Sequence, residues 1–379
     1  MKAKTWIVLF LTFIIILLSI CAISVYYVDP YFHYHKPHID KFFYKLDNER
    51  SQNDGILKNF DYEGIITGTS MCQNFKTSEA ETLFGIKFIK VPFSGGTYKE
   101  INDNTKTAIE YNDSLRIVIR GIDMEKIIED KDVMRTDLGE YPTYLYDRNL
   151  LNDVRYVFNK GVMIRVLTMF VERIREKREA GISSFDEYSN WMKSYKFGVN
   201  SPLLYPNGVV ISNNVVEQQQ LTDEERIIVE ENIEKNLVET ARENSNIEFY
   251  YFFTPYSAVW WKQIIDNGKL KKQIEAEKIA IEKMLEVDNI KVFSINDRFD
   301  ITTDLNNYKD LIHYGEWINS LLLRYMYDGK YQLTKDNYDK YLAQEEAFYR
   351  SFDYQTEFSN QLDYEDDYYP AELIRGEIN

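Results

Sequence analysis

The sequence predicts an α/β fold in which helices cover both faces of a parallel sheet of five strands, preceded by one membrane-spanning helix. Three observations carry that expectation. Short apolar runs alternate with amphipathic segments from Gly64 to Tyr327, the pattern of successive strand–helix–strand units. Ahead of them lies Trp6–Val28, which contains no charged residue and is long enough to cross a ~30 Å hydrocarbon layer as a helix. Between Met124 and Val215 the alternation lapses, for longer than an ordinary loop, which marks an insertion.

The elements follow in order. Lys2 and Lys4 precede the apolar run as in a secretory n-region; the core is too long for a cleaved signal and no Ala-x-Ala-like site follows, so an uncleaved anchor over 1–28 is expected. Lys36, Lys41, Lys45 and Arg50 oppose the amino-terminal lysines, but long domains cross regardless of nearby charge. The expected orientation is therefore N-terminus inside, bulk outside. Asp29-Pro30 ends the helix, and 29–63 reads as a juxtamembrane stalk of Tyr, Phe and His. His33, His35 and His38 are close together, but Pro37 interrupts their spacing and no Cys, Asp or Glu cluster joins them, so no metal site is expected.

Strands are expected at Gly64–Thr67, Ile86–Val91, Leu115–Ile119, Ile247–Phe253 and Ile290–Ile295, within an α/β domain spanning 64–350. A helical run through Ala80–Leu83 separates the first two, and a helix bearing Ile101, Ala108 and Ile109 precedes the third. Inside the 124–215 insertion, Val154, Val157, Phe158, Val162, Val166, Phe170 and Ile174 recur at helical spacing, predicting one long amphipathic helix. Gly198–Asn214, with Pro202 and Pro206-Asn207-Gly208, reads as loop. Thr222-Asp223-Glu224-Glu225 opens a helix to about Asn244 with a capping-box signature. Further helices are expected over Lys269–Glu286, Gly315–Tyr327 and Tyr338–Ser351, before an acidic, Tyr-rich tail at 351–379.

Composition narrows the function. A net charge of −16 with no basic stripe argues against nucleic acid as a partner. Cys72 is the only cysteine outside the membrane run, so no internal disulfide can form there, which is ordinary for a Gram-positive-type cell surface. Aromatic residues make up 15% of the chain, with 30 tyrosines. That fits a surface meeting carbohydrate or a partner protein as well as it fits tyrosine-rich packing.

His313 is the only histidine beyond the first forty residues. A neutral imidazole is the usual general base near neutral pH, and Asp310, three residues upstream, can fix its tautomer. Ser70 lies in Ile65-Ile66-Thr67-Gly68-Thr69-Ser70, an apolar strand running into a glycine turn, which exposes a nucleophile at a sheet end. Ligands bind at the carboxyl ends of parallel strands, where Ser70, Gly95, Gly96, Asp123 and the Asp310/His313 pair all fall. The expected chemistry is acyl transfer through a serine ester, with Ser70 as nucleophile, His313 as base and Asp310 as orienter. The backbone N–H groups of Ser70 and of Gly95 or Gly96 would meet the oxyanion, with Asp123 beside them. Trp260 and Trp261 follow the fourth strand and are the candidate sugar platform. No cofactor is required.

Gly68-Thr69-Ser70, the glycine loop after the second strand, the motif ending the third and Asp310-x-x-His313 together resemble the SGNH, or GDSL-like, hydrolase and acyltransferase superfamily. The similarity covers Gly64–Tyr327 apart from the insertion. It implies a flavodoxin-like three-layer α/β/α domain, and with the membrane anchor it is similar to surface acyl-transfer proteins. Examples are the D-alanyl transfer protein of lipoteichoic acid synthesis and the SGNH partners of membrane-bound O-acyltransferases. The implied function is O-acyl transfer or ester hydrolysis on a cell-envelope polysaccharide or teichoic acid. The alternative is a non-catalytic scaffold that binds such a polymer or a membrane O-acyltransferase. Two positions depart from the family pattern: Thr69 stands where an aspartate is usual, and Asp123 where an asparagine usually supplies an oxyanion donor.

Overall fold

In the computed structural model, which describes residues 3–137, 141–204 and 216–361, the chain divides into two compact bodies. One comprises residues 1–61 with 136–184; the other comprises 62–135 with the remainder. Of the expected Gly198–Asn214 loop, Asn200–Leu204 forms a short helix instead, and residues 205–214, like the tail beyond Gln361, lie outside the described residues.

The first body begins with Ala3–Val28, a 26-residue helix that is long and apolar enough to span a membrane. The following segment, expected as a stalk, is folded. Asp29 turns the chain at φ +45°, and its buried carboxylate accepts hydrogen bonds from the backbone N–H groups of His33, Tyr34 and His35 and from the Tyr156 hydroxyl. Burial pushes this carboxyl up, against those bonds. The helix Glu49–Asn59 packs so closely that a Cβ on Gly55 would meet the backbone of Tyr31 and Phe32. Phe43–Tyr44 pairs in parallel with Gly181–Ile182. The 124–215 stretch, expected as a single insertion, is therefore divided: its middle packs with the amino-terminal segment, because these pairings hold it there. The long helix expected over Val154–Ile174 is also broken, into Val154–Val157 and Lys160–Ile174. The Asn159 side chain accepts from Gly161 and Val162 N–H and so starts a new helix.

The second body is built on a six-stranded sheet. Its strands are β1 (Gly64–Gly68), β2 (Phe88–Pro92), β3 (Ile117–Ile122), β4 (Glu248–Phe253), β5 (Ile290–Phe293) and β6 (Gln332–Leu333). Their order is β2-β1-β3-β4-β5-β6. All neighbours are parallel except β5 and β6. The expectation of five strands missed β6, because two residues are too short to show alternation; the αL residues Gly329 and Tyr331 turn the chain back to make it. The inner strands are buried along almost their whole length, as in a sheet covered on both faces. Between β3 and β4 the expected capping box at Thr222/Glu225 opens Asp223–Ile233, which continues through a π turn at Glu234–Val238.

One buried pair gives this body a pH signature. Glu277 on Leu270–Met284 and Glu345 on Tyr338–Ser351 are wholly buried, Glu277 accepting from the Gln273 amide and Glu345 from the Tyr341 hydroxyl. Burial, and for Glu345 the neighbouring carboxyl, raises both above the usual glutamate range. The folded state thus keeps protons that the unfolded chain has released. The resulting stability is complete below the unfolded value of about 4.5 and is lost as pH rises through the folded ones. Glu345→Gln is expected to flatten this decline. Urea unfolding across mildly acidic to mildly basic pH would show it, and an unchanged slope would refute the buried-carboxyl account.

Candidate active site

Ser70 stands just beyond β1, where strand geometry gives way to a 3-10 turn over Ser70–Cys72. Gly68 makes this exit possible: its φ is +145°, and a Cβ there would lie 2.5 Å from Cys72 Sγ. The turn is fixed from several sides. Thr69 caps it by accepting from Met71 N–H, Asn319 donates to Met71 O at 3.1 Å, and the buried Lys90 ammonium donates to the carbonyls of Gln73 and Phe75.

Ser70 Oγ lies 2.7 Å from His313 Nε2, and His313 Nδ1 lies 2.9 and 2.8 Å from the two Asp310 carboxylate oxygens. Asp310 also accepts from the backbone N–H groups of Ile312 (3.0 Å) and His313 (2.8 Å). Burial would push its carboxyl up, but the hydrogen bonds and charge of His313 outweigh that and hold it below the usual aspartate range. An ionised carboxylate can only accept, so Nδ1 donates to it and Nε2 is left to accept the Ser70 proton. The loop bearing the pair is anchored where β4 ends, since the Ser257 hydroxyl donates to Leu311 O and the Tyr308 hydroxyl to Pro255 O. Ser70, His313 and Asp310 thus form one continuous hydrogen-bonded chain.

The other expected site residues fare differently. Register pairs Gly68 with Pro92, and Phe93 N–H donates to Gly68 O at 2.8 Å, so the glycine loop does sit at the rim of Ser70. Gly95 takes the left-handed φ of +59°, but the Gly96 N–H is spent on Phe93 O. Asp123 is no oxyanion donor. It is buried, with Thr69 and Tyr256 hydroxyls donating to its carboxylate at 2.9 to 3.0 Å. Burial raises its pKa against these bonds. Thr69 and Asp123 therefore bind each other, Thr69 donating and Asp123 accepting. Trp260 and Trp261 are not a platform: they are 5% and 0% exposed, because their helix turns both indoles inward, onto Tyr256 and Tyr349. Cys72 is wholly buried, and burial followed by the Asp123 charge pushes its thiol up, which leaves it inert as a nucleophile.

The sequence reading missed the groups around His313. The Trp191 ring stands perpendicular to the imidazole, centroids 5.6 Å apart, and its indole N–H donates to Ser70 O at 3.4 Å. Lys309 Nζ sits over the rings of Trp191 (4.0 Å) and Tyr195 (3.7 Å), and burial lowers its pKa. Lys309 adjoins Asp310 in sequence, a signal that could have drawn attention to it. Trp191 carries none, lying within the stretch read as insertion. Among the described residues, no group of three or more His, Cys, Asp or Glu side chains could hold a metal ion. Compared with family models, curated proteins and solved structures, the chain matches none.

Proposed function

We propose that the chain is a membrane-anchored, extracytoplasmic SGNH-type O-acyltransferase or esterase with a flavodoxin-like α/β/α core, acting on a cell-envelope polysaccharide or teichoic acid. The observation that carries this reading is the 2.7 Å contact between Ser70 Oγ and His313 Nε2, backed by Asp310. A buried core serine or a solvated histidine has no need of such a partner. Both Asp310 and His313 keep some side-chain exposure, 13% and 18%, as a site that admits substrate must.

Ser70 Oγ bonds to an ester carbonyl carbon while its proton passes to His313 Nε2. Asp310 stabilises the imidazolium, and the developing oxyanion meets the backbone N–H groups of Ser70 and Gly95, each such donor worth about 3 to 4 kcal/mol of barrier. When the carbonyl re-forms, the leaving alkoxide takes the proton from Nε2 and an acyl-serine remains. A sugar or polyol hydroxyl, deprotonated by the same imidazole, then attacks the acyl-serine and restores the serine; water in its place gives hydrolysis. Asp123 acts here as a positioning residue for the Ser70 turn, through Thr69. A membrane-bound O-acyltransferase is the partner that would supply the acyl group across the bilayer, and the Ala3–Val28 helix would hold the domain beside it.

A fluorophosphonate probe tests the reading directly. Covalent labelling of the wild-type protein is expected, and Ser70→Ala is expected to abolish it. Labelling that persists in Ser70→Ala, or a correctly folded wild type that never labels, would refute it.

A further inference from the structure

The helix Lys160–Ile174 in the first body is apolar on two opposite faces. Val162, Val166 and Met169 are buried against that body. Ile164, Leu167, Val171 and Ile174 recur at spacings of three and four residues on the other side, and are 52%, 62%, 46% and 74% exposed. Helical geometry puts these four on one stripe, where a helix bathed in water would carry polar side chains. Leu151 and Val154, just upstream, are exposed as well. Contiguous apolar surface of this kind on a soluble monomer marks a face that meets something.

What it meets is indicated by its neighbours. The helix packs against Ala3–Val28, and an aromatic relay joins it to the carboxyl end of that helix: Tyr27 contacts Phe42, and Phe42 contacts Phe170 edge-on at 5.2 Å. Tyr26, Tyr27, Tyr34, His35 and His38 cluster at the same level, and the Lys41 ammonium reaches the Tyr27 hydroxyl. Amphipathic rings and a snorkelling lysine are what the headgroup layer selects. Residues 160–179 also carry six basic against three acidic side chains, in a chain of net charge −16, which suits an anionic lipid surface.

We infer that Lys160–Ile174 is an interfacial helix, lying in the plane of an anionic membrane at the foot of the spanning helix with Ile164, Leu167, Val171 and Ile174 sunk into the acyl boundary. The first body is then held to the bilayer twice, by a helix that crosses it and a helix that lies on it. The inference rests on Ala3–Val28 spanning the membrane and is independent of the chemistry at Ser70.

Depth-dependent quenching tests it on the full-length protein in vesicles of equal parts phosphatidylglycerol and phosphatidylcholine. In a Cys21→Ser background, where buried Cys72 stays unlabelled, an environment-sensitive fluorophore is attached at Leu167→Cys or Ile174→Cys. Leu17→Cys reports the spanning helix, and Glu346→Cys, on the second body, reports water. The Leu167 and Ile174 labels are expected to be quenched by nitroxides near the headgroups, and to be several-fold less accessible to aqueous iodide than the Glu346 label. Labels as accessible as Glu346, with Leu17 quenched from the bilayer centre, would overturn the interfacial helix alone. Labels shielded from iodide yet untouched by lipid nitroxides would overturn it in favour of a protein partner. Failure at Leu17 as well would overturn the membrane reading with it.

Discussion

Replacing Asp310 with asparagine is expected to slow acylation of Ser70 by about 10³- to 10⁴-fold, some 4 to 5 kcal/mol of barrier, although the substitution is nearly isosteric. The reason lies in the hydrogen bonds already in place. Asp310 Oδ1 accepts from the N–H groups of Ile312 and His313, and an asparagine would keep its carbonyl oxygen there to satisfy them. Its amide NH2 would then face His313 Nδ1, which would have to accept. The imidazole proton moves to Nε2, the atom 2.7 Å from Ser70 Oγ, and the base can no longer take the serine proton. The rate of covalent labelling by a fluorophosphonate, read alongside an unchanged circular dichroism spectrum, measures this. A rate within tenfold of wild type would show that the carboxylate does not set the tautomer.

The second large effect is on stability. Trp261→Ala is expected to cost about 3–5 kcal/mol, because the indole is fully buried and stacked on Tyr349 at 4.5 Å with the planes 9° apart. Trp261→Phe should cost far less. The indole Nε1 is buried with no hydrogen-bond partner among the described residues, so phenylalanine gives up volume but no polar contact. Urea denaturation distinguishes this from a sugar-binding role. A Trp261→Ala protein of wild-type stability that bound polymer weakly would restore the platform.

Much of the site was legible in the sequence because its signals are local. Gly68-Thr69-Ser70 at the end of an apolar strand, and an aspartate three residues before a histidine, are patterns whose geometry depends on neighbouring backbone alone. The strands were legible for a similar reason: fully buried parallel strands are short, continuous apolar runs, and β1 to β5 each begin or end within two or three residues of the expected positions. Asp123 and the two tryptophans misled because strand-end position does not say which way a side chain points. Asp123 turns inward to Thr69 and Tyr256, and a Trp-Trp pair on an amphipathic helix reads the same whether it faces solvent or core.

Residue type and spacing by themselves determined the membrane-length helix, the order of strand and helix segments, and the Ser, His and Asp that could act together. These follow from hydrophobic periodicity and backbone preference, which operate over a few residues. Tertiary structure alone decided that Ser70 and His313, 243 residues apart, lie within one hydrogen bond. It also decided that Trp191 stands against the imidazole with Lys309 over the indole, and that residues 136–184 join the amino-terminal segment rather than the sheet. Each of those depends on which surfaces can exclude water together, a property of the folded chain that no local window of sequence contains.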